Sequence, residues 1–219
     1  MGAGDGGGGL PGRALTAYIE TIFFDLGGVL LSNGWDQGQR AKVLPKFGVD
    51  LAEYEARHDA ANYYWERGLK DARWFFDQTV FYEPRKFTFE DLWPEVEGQS
   101  SVMFPATYEV LGKLRGARQY RIAMLNNESR ELNDYRMKEF RLRDYFDFFI
   151  CSGYVGEMKP GRAIYQSALD VSGAAAQETL FIDDKEENCA AARAMGMNAI
   201  HFVSPEELIS ELTEFGITL

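Results

Sequence analysis

The chain has 219 residues, 46% of them hydrophobic, and a formal net charge of −11. That length and core content suit one domain, or one domain carrying an insertion, and exclude a disordered chain. The negative balance argues against a general nucleic-acid or anionic-membrane binder, and no apolar run is long enough to span a bilayer. An anionic substrate stays open, because one lysine and a metal ion can reverse a local field. The two cysteines, Cys151 and Cys189, lie far apart without metal-type spacing. They fit buried reduced thiols in a cytoplasmic protein, either monomer or homodimer.

Residues 1–12 are mostly glycine, without the basic and apolar regions of a signal peptide, and residues 1–17 read as a flexible tail. An apolar run then ends abruptly at Asp25, followed by Gly27 and Gly28. A run of this kind reads as a buried strand over 18–25, with its acid where open α/β sheets bind ligands. From Gly34 to Met103 no second buried strand follows. Instead, helical spacing recurs over 37–47, 51–67, 72–81 and 89–96. Gly48, Gly68, Pro84, Pro94 and Gly98 act as breakers between them. Tyr54, His58, Ala61 and Trp65 share one helix face. Tyr63, Tyr64, Trp65, Trp74, Phe75 and Phe76 are expected to form the core of this helical insertion.

From Phe104 the pattern becomes a regular βα alternation. Pro105 opens a helix with Tyr108, Leu111 and Leu114 on its apolar face, and strands are expected over 122–125, 146–151, 179–183 and 198–202. Between them lie helices over 130–140, from Pro160 to Gly173 with Ile164, Ala168 and Val171 inward, and over 186–195. Ser204 to Glu207 reads as a capping box opening a last helix. Strands alternating with helices imply an α/β fold with a Rossmann-like parallel sheet, helices on both faces, and a helical insertion.

The strand ends carry the chemistry. In a parallel sheet their C-termini share one edge, which places Asp25, Asn126, Asn127, Lys159 and the pair Asp183-Asp184 together. Three carboxylates in one crevice repel unless a cation neutralises them, and an all-oxygen donor set selects Mg²⁺. That metal would sit on Asp25, a turn carbonyl and an aspartate of the fourth strand. Lys159 would face phosphate oxygens, the two amides would hold the phosphoryl group, and a carboxylate can attack phosphorus. Phosphoryl transfer on a small phosphorylated substrate is the chemistry this set suits.

These motifs resemble the haloacid dehalogenase-like (HAD) superfamily of phosphohydrolases. Asp25-Leu26-Gly27 matches that family's Asp-x-Asp, Asn126-Asn127 its Ser/Thr-Asn, Lys159-Pro160 its lysine, and Asp183-Asp184 its acidic pair. The likeness covers nearly everything from Thr21 to Phe202, and it looks nearest to the glucose-1-phosphate-phosphatase-like members and the phosphatase domain of soluble epoxide hydrolases. It implies a core of 18–33 and 104–219 and a helical cap over 34–103. It also implies Asp25 as nucleophile and metal ligand, the Gly27 carbonyl and Asp184 as ligands, and Asp183 acting through water. Asn126, Asn127 and Lys159 would hold phosphate, and Asn188 would order the acidic loop.

Two positions depart from the family pattern. Asn126 replaces Ser/Thr, a mild change because an amide still donates. Gly27 replaces the second aspartate, which elsewhere protonates the leaving group, and losing such a group costs about 10²–10⁴-fold. Three outcomes are open: a preference for good leaving groups such as anomeric sugar phosphates, an acid supplied by Asp36, His58 or Glu66, or a non-catalytic phosphate-binding or regulatory module. A mutase is disfavoured for want of the acid/base, and a dehalogenase because its chemistry leaves Asp183-Asp184 unexplained. His201, at the end of the last strand, is expected to have a packing role.

Overall fold

The computed structural model describes residues 18–219, so the expected tail over 1–17 lies outside the described residues. Five parallel strands form one sheet in the order β3-β2-β1-β4-β5. They are β1 (Thr21–Phe24), β2 (Arg121–Asn126), β3 (Phe148–Cys151), β4 (Thr179–Asp183) and β5 (Asn198–His201). The chain steps outward from β1 to one side through β2 and β3. It then crosses to the other side for β4 and β5. The C-terminal end of β1 is therefore the switch point of the sheet, where a crevice opens in such folds.

Side-chain alternation along the strands builds two apolar layers. Ile22, Phe24, Ile122, Met124, Leu180 and Ile182 face one way. There they meet α5 (Pro105–Ala117) through Leu111 and Leu114, and α10 (Pro205–Glu214) through Leu208 and Leu212. Phe23, Ala123, Leu125 and Phe181 face the other way, onto α8 (Arg162–Ser172) and α9 (Glu186–Ala194). A sheet buried on both faces explains why its strands read as continuous apolar runs. α6 (Arg130–Glu139) and the short α7 (Ser152–Val155) flank the site edge.

The segment after β1 folds as four helices: α1 (Gln37–Val43), α2 (Leu51–Trp65), α3 (Ala72–Thr79) and α4 (Phe89–Glu97). Each starts where a side chain caps it: Asp36, Asp50, Asp71 and Thr88 each accept a bond from a backbone N–H three residues on. Such caps contribute about 1 kcal/mol each. Their shared core contains Tyr54, Ala61, Trp65, Phe75, Phe76 and Leu92, joined by Leu132 from α6. The chain leaves and returns side by side, with Ser32 N–H donating to Ser101 at 2.9 Å and Met103 N–H to Leu30 at 2.9 Å. Among the described residues no helix is long and apolar enough to cross a membrane.

Several expectations need correction. Tyr63 and Tyr64 are exposed rather than core, because they lie off the face carried by Tyr54, His58, Ala61 and Trp65. Pro94 sits inside α4, not at a break. α8 begins only at Arg162, with Gly161 at its N-cap, so Pro160 does not open that helix. Val171 is exposed, and Tyr165 and Ser172 complete the inward face with Ile164 and Ala168. Ser204 caps α10 by accepting from Glu207 N–H at 3.2 Å.

Candidate active site

Asp25 stands one residue beyond β1, and its N–H still donates to Ile182 at 2.8 Å. It is fixed by the sheet rather than by a loop. The turn that follows is closed by the carbonyls of Leu26 and Leu31, which accept from Leu31 and Gly28. The Gly27 carbonyl stays out of those bonds. Gly28 has φ +73, and a Cβ there would lie 2.2 Å from Asp184 Oδ2. Only glycine lets the turn approach that carboxylate so closely.

Lys159 is buried and bridges two strand ends. Its Nζ lies 2.8 Å from Asp25 Oδ1 and 2.6 Å from Asp183 Oδ2. Burial alone would strip its proton, but the two carboxylates outweigh that and raise its pKa. Burial raises the Asp25 carboxyl to about 6; Lys159 pulls against that rise and Asp183 adds to it. The Asn127 side chain is turned to the Lys159 main chain. Its Nδ2 donates to the Lys159 carbonyl at 2.8 Å, and its Oδ1 accepts from Lys159 N–H at 2.9 Å. This amide thereby fixes the backbone of the lysine. Asn126 is buried, with Nδ2 3.4 Å from Asn133 Oδ1 and its own Oδ1 without a partner.

The acidic pair divides in character. Asp183 is fully buried and saturated: besides Lys159, it accepts from Lys185 N–H at 2.8 Å and from Asn188 Nδ2 at 2.9 and 3.0 Å. Asp184 is half-buried, and its Oδ1 is buried without any partner. An orphaned carboxylate oxygen is costly, so something must satisfy it. Ligand oxygens of Asp25, Asp183 and Asp184 all lie within 4.8 Å of one another. His201, expected only to pack, is partly exposed and bonds the Asp184 carbonyl through Nε2 at 3.1 Å.

The crevice is narrow, about 50 Å³, and lined by Asp25, Gly27, Asn33, Asn127, Lys159 and Glu128, among others. Three of its features escaped the sequence reading. A Cβ on Gly27 would meet Asn33 Oδ1 at 2.8 Å, so Asn33 fills the space beside the missing side chain. Glu128 and Arg136 form a buried ion pair, with Nη1 to Oε2 at 3.0 Å. An acid two residues beyond the end of β2 was the signal that could have found Glu128. Arg136 carries no comparable mark, because its meeting with Glu128 depends on how α6 turns.

Of the three candidate acids in the insertion, Asp36 and His58 are engaged elsewhere, whereas Glu66 lies close enough to Glu128 and Lys185 of the crevice wall for their charges to interact. Asp36 caps α1 through Gln39 N–H at 2.8 Å. His58 lies between the rings of Tyr54 and Phe75, beside Arg40 Nη1 at 3.3 Å. Glu66 ends α2, its carboxyl raised by burial, and its carbonyl accepts from Ser152 Oγ at 2.7 Å. Cys151 and Cys189 are free and buried. Burial raises both thiols to about 12, so neither is a nucleophile.

This constellation has counterparts among known proteins. A family model for haloacid dehalogenase-like hydrolases matches residues 19–196. A sesquiterpene phosphatase of Aspergillus oryzae is 25% identical over 190 residues, 87% of this chain and 83% of that protein. A phosphoglycolate phosphatase of Chromobacterium violaceum is 25% identical, covering 84% of each chain. A HAD family enzyme of Bacteroides thetaiotaomicron, solved with magnesium and inorganic phosphate, superposes with a TM-score of 0.71 at 23% identity over 83% of this chain and 93% of its own. The chain belongs to the haloacid dehalogenase-like hydrolases, as a phosphatase-type member.

Proposed function

We propose that the chain hydrolyses the phosphoric monoester of a small polar metabolite, a sugar phosphate and foremost an anomeric one, through a phosphoryl group carried on Asp25. The observation that carries this is the position of Lys159, held by Asn127 between Asp25 and Asp183. A binding module gains nothing from burying an ion pair against a strand-end carboxylate, since such burial is costly. The polar lining of the crevice, with amides, Glu128 and Arg136, supports a hydroxyl-rich leaving group.

Mg²⁺ fits the residues present: Asp184 offers an orphaned oxygen, Asp25 is adjacent, and the Gly27 carbonyl is free of the turn's own bonds. These three would hold it, with Asp183 acting through water. When bound, the ion neutralises the clustered carboxylates and the phosphate charge. Asp25 supplies the attacking oxygen, Lys159 faces a phosphoryl oxygen, and Asn126 donates to another. Asn127 positions Lys159, and Asn188 with Lys185 N–H holds Asp183 rigid. Residues 34–103 act as a cap over the crevice, and its narrowness requires the cap to move for substrate to enter. The resemblance to the sugar-phosphate subgroup, which also carries glycine at this turn, supports the same substrate class.

Gly27 favours one second reading, a phosphate-binding module without turnover. Phosphate release with Mg²⁺, from glucose 1-phosphate and from glucose 6-phosphate, separates the two. The enzyme reading expects faster release from glucose 1-phosphate and none from Asp25→Asn. Silence of the wild type across a broad panel of phosphorylated metabolites sinks it.

A further inference from the structure

Most polar side chains of the crevice are already committed to one another. Asn127 holds the Lys159 main chain, and Lys159 bridges Asp25 and Asp183. Glu128 and Arg136 form a pair, and Asn188 is taken up by Asp183. Asn126 gives its Nδ2 to Asn133, which leaves only its Oδ1. Asn33 differs from all of these. Among the described residues its side-chain amide bonds no protein group. Only its carbonyl is used, accepting from Gln39 Nε2 at 2.8 Å. It nonetheless lines the crevice together with Asp25, Gly27 and Lys159.

The main chain places this amide firmly. Leu31 doubles back on Gly27, its carbonyl accepting from Gly28 N–H at 2.8 Å. Ser32 N–H donates to the Ser101 carbonyl at 2.9 Å, and Ser101 N–H donates to Ser32 Oγ at 3.1 Å. Gln39, in the first turn of α1, holds the Asn33 carbonyl. Asn33 Oδ1 lies 2.8 Å from the point where a Cβ on Gly27 would stand, and the three atoms nearest that point all belong to Asn33. Gly27 is not in the left-handed region, so its backbone does not demand a glycine. The amide does: a side chain at position 27 and the Asn33 amide compete for one volume. Two residues of chain span at most about 7 Å, so this volume stands close beside Asp25. In a crevice of about 50 Å³, a phosphate ester engaged by Asp25 reaches the Asn33 wall.

Resting on the phosphatase reading, we propose that Asn33 is a specificity-determining residue, its amide binding a hydroxyl of the leaving group in the volume that glycine at position 27 leaves open. An amide offers both a donor and an acceptor, and so does a hydroxyl, so the two match in either sense. The exposed Lys185 is the other uncommitted side chain of the lining, and an ammonium can only donate. Asn33 exchanges no proton; its part is recognition. An ester without a hydroxyl would dry the amide and leave it unpaired, which counts against that substrate. The site is thereby selective for the phosphates of sugars and polyols over those of apolar and aryl alcohols. Glycine at position 27 is then the counterpart of a residue that reads the substrate.

The test is a selectivity cycle, read as the ratio of kcat/KM for glucose 1-phosphate to that for phenyl phosphate, with Mg²⁺ present. The second substrate has a ring of similar size and no hydroxyl on its leaving group. Asn33→Ala should lower the ratio about tenfold, as for a lost hydrogen bond between neutral groups. Gly27→Ala should lower it by a similar factor, because the new methyl displaces the amide. The double variant should fall no further than either single one, since both remove the same contact. Turnover of phenyl phosphate reports that each variant is folded. An unchanged ratio in either single variant overturns the proposal. So does a double variant in which the two effects multiply, or a fall in the ratio confined to Lys185→Met. Absence of wild-type turnover on every phosphate tested would instead be a failure of the phosphatase reading, a distinguishable result.

Discussion

Asn127 and Lys159 are joined by a reciprocal pair of hydrogen bonds, side chain to main chain, at 2.8 and 2.9 Å. The end of β2 therefore fixes the backbone from which the Lys159 ammonium reaches Asp25. A point charge is useful to a phosphoryl group only where it is held, since displacements near 1 Å can cost about 100-fold.

Asn127→Ala should consequently lower kcat by about 10–100-fold while Mg²⁺ affinity changes little, because no metal donor is touched. Steady-state kinetics and a Mg²⁺ titration check this together. Unchanged kcat would show that the lysine is placed by something else.

Gly28→Ala should fail for a different reason. The new methyl would meet Asp184 Oδ2 at 2.2 Å, in a backbone conformation with φ +73. Either the turn or the carboxylate must move. The expected result is a stability loss of about 1–3 kcal/mol, from strain and overpacking, with Mg²⁺ binding weakened at least about tenfold, as for loss of a group that orients a metal ligand. Denaturant melts and calorimetric Mg²⁺ titration measure both.

Glu128 makes stability depend on pH with a defined sign. Burial holds its carboxyl at about 7, against an ordinary 4.5. Between those values the folded chain keeps a proton that the unfolded chain has lost. Its contribution is therefore greatest at acid pH and declines as pH rises through that window, by on the order of 3 kcal/mol. Glu128→Gln, which cannot titrate, should gain stability relative to wild type from pH 4.5 to 7. The constant cost of leaving Arg136 unpaired does not alter that trend. A wild-type-minus-variant difference that is flat with pH contradicts it.

The sheet and its site edge were legible because each strand is an apolar run cut off by a polar residue. Asp25, Asn126 and Asp183 announce themselves in that way, and the alternating helices dictate a parallel sheet. What escaped detection depends on pairing across the fold. An amide at 127 looks the same whether it grips phosphate or a neighbouring main chain. The Glu128–Arg136 pair joins a loop to the inner face of α6, and no periodicity marks it. Asn33 matters only because Gly27 faces it. Pro160 fits a helix start by type, yet the turn between Met158 and Gly161 defers that start by two residues.

Asp25 remains the centre on which the other residues converge. Acid-quenching the wild-type protein during turnover of a phosphate monoester with Mg²⁺, followed by peptide mass spectrometry, tests its role most directly. The account predicts one phosphoryl group on the peptide carrying Asp25, released by hydroxylamine and absent from Asp25→Asn. Turnover with no such adduct, or with an adduct on another residue, would contradict it.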